Sequence, residues 1–351
     1  MSGSDRYRFY EIDLLRFLAA FGVMLYHYTL RGWAADDMSV VEFPGLGEIF
    51  QYGYLGVDLF FIISGFVILM TAMNKNHVEF VISRVTRLYP AFWFSVTLTA
   101  IFILILGAGR YDVSLVQYLA NLTMLHKFMG IPSVDGVYWS LVVELKFYFL
   151  IFLLIIFKQI HRIKYYLAGW LAISILVKFT GHLPLVGTIL FPEWSAYFIA
   201  GAVFYLIRQE GVSTYYLVMI FCSYLLAIDN SLDGLDSFYD KYSVQPSAAV
   251  TVALITSFYG FFLALSLNMT RSVSKPWYVY LGVMTYPLYL IHENIGFMFF
   301  NLMHEVVNKY VLLVAIVAVM LVASYLISKY IEPKGARSLK SVLVKALVRK
   351  G

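Results

Sequence analysis

The sequence predicts an all-α fold, a polytopic membrane helix bundle of about ten transmembrane helices. Three observations lead there. Hydrophobic residues make up 61% of the 351 and charged residues 13%, where soluble domains hold about 45–50% and about 25%, so a soluble chain of this composition lacks the polar surface to cover itself. Apolar stretches recur with the length of about 20 residues that crosses a hydrocarbon core. Lys and Arg alternate in density between successive loops, the bias expected of a membrane chain, and an 18% aromatic content suits Trp and Tyr crowding both interfaces.

In chain order, spans are expected near 9–30, 53–73, 88–107, 138–157, 164–180, 188–207, 213–228, 247–268, 277–303 and 309–330. Each must be helical, because lipid offers the backbone no other hydrogen-bond partner. The first carries Asp13 and Arg16, and no small-residue cleavage site follows, so it is expected to stay as a span and not to be a cleaved leader. In the second, Ser64-Gly65 permits close approach of a neighbouring helix. The fifth and seventh are short, which suits tilted or sheltered helices, and 112–128 is left open as a lateral or re-entrant helix. Pro287 is expected to kink the ninth. Residues 1–335 then form the membrane domain, and 336–351 a basic amphipathic tail for the lipid surface.

An even number of spans puts both termini on one side. Eighteen of the 26 Lys and Arg fall on that side, six on the other, and two, Arg16 and Lys146, inside spans. By the positive-inside rule the termini are cytoplasmic. The outward loops are acidic, with Asp36, Asp37, Glu42 and Glu48 in the first and Asp229, Asp233, Asp236 and Asp240 in the fourth. The net charge of +5 is thus topological. The partner it implies is the lipid bilayer, and nucleic acid is excluded. A single cysteine, Cys222, leaves no internal disulfide. With no histidine pair at metal-ligand spacing and no thiol cluster, no metal is expected. His77, His126, His161, His182 and His304 fall in loops or at span ends and read as solvated or interfacial.

Ionisable side chains inside spans are expensive, so each is a functional candidate or a structural tie between helices. Arg16 and His27 are eleven residues apart, close to three helical turns, so they share a face and are separated by roughly 16 Å. Asp13, one turn before Arg16, is placed to pair with it. Asp58 enters the second span from the outer side, and Glu144 lies in the fourth, where Lys146 cannot share its face. Either carboxylate is a candidate to orient the His27 ring. Tyr286, Tyr289 and His292 recur at three-residue spacing in the ninth. Arg84 and Arg87 project together before the third span. Paired guanidinium groups at a helix N-terminus suit phosphate; ordinary charge anchoring is the alternative.

These motifs stand in a distinctive order. Arg16-x10-His27 is on the first span and Gly56-Val57-Asp58-x-Phe60-Phe61-x-x-Ser64-Gly65 on the second. Arg84-x-x-Arg87-Leu88-x-Pro90 precedes the third, Trp139-Ser140-Leu141-x-x-Glu144-x-x-Phe147-Tyr148 opens the fourth, Tyr286-Pro287-Leu288-Tyr289-Leu290-x-His292 lies on the ninth, and Ile331-Glu332 follows the last. Over about 5–335 the chain resembles the acyltransferase-3 family of integral membrane O-acyltransferases, in its short stand-alone form. The resemblance implies transfer of an acyl group, commonly acetyl from acetyl-coenzyme A, to a hydroxyl of a surface glycan or lipid-linked sugar. It implies Arg16 and His27 as the central pair and Glu144 as a further site residue; from their chemistry, His27 is the expected general base or transient acyl acceptor and Asp58 a further catalytic candidate. Arg84 and Arg87 are the implied donor contacts, and Arg16, deeper on the same side, is a further donor-contact candidate. Trp139, Tyr289 and His292 are the candidates on the acceptor side. Donor and acceptor are then expected to approach from opposite faces and meet within the bundle. A transporter or flippase of a glycan or lipid-linked substrate is the rival reading, and a non-catalytic scaffold a third. Polarised placement of the arginine pair on one side and histidines with carboxylates on the other favours the enzyme.

Overall fold

The structure, a computed structural model, describes residues 8–35, 37–181 and 184–347. Arg6, Asp36, His182 and the end of the expected tail, 348–351, lie outside the described residues.

Among the described residues, ten helices stand in the expected order of the spans. They are α1 (Tyr10–Tyr26), α2 (Gly56–Ala72), α3 (His77–Leu106), α4 (Trp139–Ile156), α5 (Ile163–Thr180), α6 (Pro192–Glu210), α7 (Thr214–Tyr242), α8 (Ala248–Ser266), α9 (Tyr278–Ile291, resumed as Glu293–Met303) and α10 (Lys309–Leu326). Among the described residues, seven helical stretches are long and apolar enough to cross a membrane by themselves. The other three are α1, α6 and α9, and each has a reason. α1 is 17 residues but runs on through a π turn, His27–Arg31. α9 is broken at His292. α6 is the central helix: residues 195–207 are all buried by other helices, so it meets little lipid. Lipid instead faces side chains such as Leu104, 75% exposed, and Phe179, 83% exposed.

The tightest crossing is α2 on α6. A Cβ on Gly65 would run into the Phe198 carbonyl, and one on Gly201 into the Ile62 carbonyl. Small residues let two backbones touch, which drives helix association where lipid removes the hydrophobic incentive. Ser64-Gly65 therefore does what its sequence suggested.

Three expectations change. α3 begins at His77, with Asn76 as its cap: Asn76 Oδ1 accepts from the Glu79 amide at 2.9 Å and Glu79 answers to the Asn76 amide at 3.2 Å. This reciprocal box starts the helix early. Arg84 and Arg87 consequently lie two to three turns inside α3, where backbone N–H groups are already bonded, and not at a helix N-terminus. α7 is not short but 29 residues long, and it carries Asp229, Asp233, Asp236 and Asp240 on helix instead of loop. Lys178 of α5 bridges Asp229 at 3.1 Å and Asp233 at 2.6 Å. His126 is fully buried, with Nε2 2.9 Å from Ser133 Oγ, so it is not solvated. Burial, then Lys127, pushes its imidazole down to about 4. It follows a short helix, Leu115–Leu122, within the segment left open.

After α10 a second π turn, Ile327–Ile331, leads without a break into α11 (Glu332–Leu347). α11 packs along α3, with Gly335 over Pro90, while Lys334, Arg337, Lys340 and Lys345 are exposed.

Candidate active site

A cavity of about 190 Å³ lies among α1, α2, α3, α4 and α9. Arg16, Arg84, Arg87, Glu144, Tyr148 and Tyr289 line it, with Ser64, Ser140 and Tyr286 between them. Five sequence candidates, Arg16, Arg84, Arg87, Glu144 and Tyr289, therefore meet in one space, contributed by four helices.

Several polar groups in the cavity are held from their own or a neighbouring helix. Ser64 Oγ and Tyr148 Oη both donate to Glu144 Oε1 at 2.6 Å. Tyr148 is one turn beyond Glu144, the spacing that faces two side chains together. Lys146 leaves that face, as expected, and donates to the Thr188 carbonyl at 2.9 Å. Arg84 lies over the Tyr148 ring at 5.8 Å and Arg87 over the Tyr286 ring at 5.7 Å. Aromatic faces hold a guanidinium while leaving its edge free for an anion. Arg87 also pairs with Glu332 of α11 at 3.2 Å. Arg16 does not pair with Asp13; Asp13 instead accepts from Arg8 Nε at 2.9 Å. Among the described residues Arg16 has no carboxylate partner in direct contact, and its head group borders the cavity.

Ser140 and Tyr289 also line the cavity, and their hydroxyls are 2.7 Å apart. Behind Tyr289, with ring centroids 5.8 Å away, is His292. His292 Nε2 is 2.9 Å from His27 Nδ1. Neither Glu144 nor Asp58 orients the His27 ring; His292 does. Both imidazoles stand outside the cavity lining, one tyrosine beyond it. His292 is fully buried and Tyr28 Oη donates to its carbonyl at 2.7 Å.

Two other candidates are not brought to the cavity. Asp58 is buried on a different face of α2 from Val57, Phe60, Phe61 and Ser64, within electrostatic reach of Tyr54, Tyr197 and Tyr259. Trp139 packs on Trp194, with centroids 5.1 Å apart, and does not line the cavity.

The sequence reading missed a second buried layer. Arg31 pairs with Glu293, which is fully buried next to His292. Asp135, also fully buried, accepts from the Val137 amide and from the Asn294 amide, each at 3.2 Å. Burial outweighs these bonds and the nearby Arg31, and pushes the Asp135 carboxyl up to about 7. Glu293 was detectable, being an acid inside the span expected at 277–303. No group of metal-ligating side chains occurs among the described residues.

The profile of the acyltransferase-3 family, described as an acyltransferase domain, matches residues 9–329. The chain belongs to the acyltransferase-3 family. It is therefore a membrane acyltransferase, and its family match contains every residue of the cavity. ORF330 of Acidianus two-tailed virus, a protein described as a candidate acetyltransferase, is 25% identical over 301 residues, 80% of this chain and 82% of its own. The O-acetyltransferase OatA of Staphylococcus aureus is 29% identical over 171 residues, 44% of this chain and 25% of OatA. The peptidoglycan O-acetyltransferase OatA of Listeria monocytogenes is 28% identical over 175 residues, again 44% of this chain and 25% of the relative. The acyltransferase-3 chain thus spans a quarter of the OatA proteins it matches. No solved structure matches it.

Proposed function

We propose that this acyltransferase moves an acetyl group from acetyl-coenzyme A to a hydroxyl of a cell-surface glycan or lipid-linked sugar, with both chain termini cytoplasmic. One observation carries the proposal. A single cavity joins three guanidinium groups, Arg16, Arg84 and Arg87, to a carboxylate, Glu144, and lies one aromatic ring from a buried histidine pair. Three cations in a partly buried space suit a polyanionic donor. Arg84 and Arg87 receive its phosphates at the cytoplasmic end, and Arg16 stands deeper. The pantetheine arm carries the thioester toward Tyr289. His27 takes the proton of the acceptor hydroxyl, because an alcohol is a poor nucleophile until deprotonated. The names of the OatA relatives support an acetyl donor and a glycan acceptor.

The test uses sealed, oriented vesicles. Labelled acetyl-coenzyme A supplied to the cytoplasmic face should acetylate an impermeant glycan acceptor on the other face. Product formed only when both substrates share the cytoplasmic side would overturn the two-sided reading. Movement of unmodified acceptor without acetylation would overturn the enzymatic one.

A further inference from the structure

The protons of the two buried histidines can be assigned from their neighbours. His292 Nδ1 faces two backbone carbonyls, Tyr289 O at 2.9 Å and Leu288 O at 3.1 Å. A carbonyl oxygen only accepts, so this nitrogen must carry hydrogen. A neutral imidazole has one N–H, which leaves His292 Nε2 as an acceptor. The atom 2.9 Å from it, His27 Nδ1, must then be the donor. The ring planes are 15° apart with centroids 4.9 Å distant. At that separation, with the two nitrogens 2.9 Å apart, one ring does not lie directly over the other, so the contact runs through the nitrogens. His27 Nε2 is left with its lone pair. The α9 backbone thereby dictates the tautomer of a residue on α1.

From this geometry we infer that His292 is a positioning residue: it holds His27 as the Nδ1–H tautomer and makes Nε2 the one basic nitrogen of the pair. The inference deepens the proposed reaction and rests on it for its catalytic meaning. In that reaction the acceptor oxygen attacks the thioester carbonyl as its proton passes to His27 Nε2. The tetrahedral intermediate expels the thiolate, and the thiolate takes that proton. The products are the ester and free thiol. Between those steps the positive charge is shared across the Nδ1–H···Nε2 bond, and the carbonyls of Leu288 and Tyr289 face the far side of the pair. His292 thus does for His27 what a carboxylate does in a Ser-His-Asp triad, with no added negative charge. Nearby contacts fix both rings: Tyr28 Oη holds the His292 carbonyl at 2.7 Å, and Arg31, one turn after His27, pairs with Glu293.

Two measurements test it. Nitrogen-15 NMR of histidine-labelled protein in lipid nanodiscs, assigned by difference with His27→Gln, should show His27 protonated at Nδ1 and bare at Nε2. His292→Phe should release it from that tautomer. In acetyl transfer, His292→Phe should lower kcat by ~10²-fold or more with the donor KM nearly unchanged, and His292→Gln, whose amide oxygen still accepts from Nδ1–H, should recover much of the loss. Nε2 protonation of neutral His27 in the wild type overturns the inference. So does an equal loss in the Gln and Phe variants, or a loss confined to KM. If the tautomer is found but His27 variants keep full activity, the base assignment in the proposed reaction fails and the positioning geometry stands. The wild-type spectrum decides the tautomer even where His292→Phe does not fold.

Discussion

Arg87 and Glu332 are paired at 3.2 Å although 245 residues separate them, and the pair ties the cavity lining to α11. The Arg87 side chain is still 38% exposed, so the pair holds the guanidinium without sequestering it. A partly exposed pair is worth about 0–1 kcal/mol. Glu332→Gln should therefore change thermal stability and coenzyme A affinity by no more than a few fold. Arg84→Gln with Arg87→Gln should raise the donor KM by ~10-fold or more while affecting turnover at saturating donor less. Equilibrium binding of coenzyme A checks both; unaltered affinity in the double variant would make the arginines topological only.

His27→Ala should reduce acetyl transfer by ~10²–10⁴-fold, the usual worth of a general base. His292 keeps its two carbonyl partners but loses the donor to its buried Nε2, so the variant should fold with a stability loss of about 1–3 kcal/mol, well short of explaining the fall in rate. Transfer rates and size-exclusion profiles in detergent give the two readings.

Glu144→Gln and Glu144→Leu should separate charge from hydrogen bonding. Gln retains an oxygen for Ser64 and Tyr148, which now sit at 2.6 Å. Its thermal stability should match the wild type while transfer falls by ~10²-fold, the scale of losing one electrostatic group. Leu leaves both hydroxyls unpartnered and should cost a further 1–3 kcal/mol or so in stability. Equal activity in Glu144→Gln would reduce Glu144 to a structural acceptor.

Gly65→Val and Gly201→Val each drive a side chain into a backbone carbonyl on the facing helix. Backbone cannot step aside as a flexible side chain can, so the expected loss is ~1–3 kcal/mol or more. The assay is thermal aggregation in detergent, with Gly45→Val, which meets nothing within 4 Å, as the control expected to behave as wild type.

Asp135 gives stability a pH dependence. Its carboxyl titrates at about 7 here, against about 3.9 in an unfolded chain. Between those values the folded protein holds a proton that the unfolded chain has released. Stability therefore falls as pH rises through that window and levels above it. The melting temperature in detergent should drop from about pH 5 to about pH 8, and Asp135→Asn should flatten that slope.

Much of the architecture was legible from the chain alone. Span length and charge alternation depend on the solvent and not on neighbours, so all ten helices fall where the apolar runs place them. Arg16 and Glu144 were legible for the same reason, since an ion in a span is conspicuous wherever it points. Helix starts were less so. A capping box at Asn76 moved the start of α3 and put Arg84 and Arg87 inside it, and a polar stretch after Ile228 continued as helix because Lys178 of α5 ties its acids down.

By itself, then, the sequence determined the class, the number of helices, the order of the motifs and the polar stripe on α1, all of which follow from hydropathy and helical period. Tertiary structure alone decided which charged groups share a space. Asp58 and Trp139 sit on motif-bearing helices yet face away from the cavity, because rotation about a helix axis is set by packing against α6. Arg87 with Glu332, Arg31 with Glu293 and His27 with His292 are pairs across distant helices, and no local periodicity encodes a partner. The tautomer of His27 is decided furthest from its own sequence: it rests on two carbonyl oxygens of α9, brought to α1 by the fold.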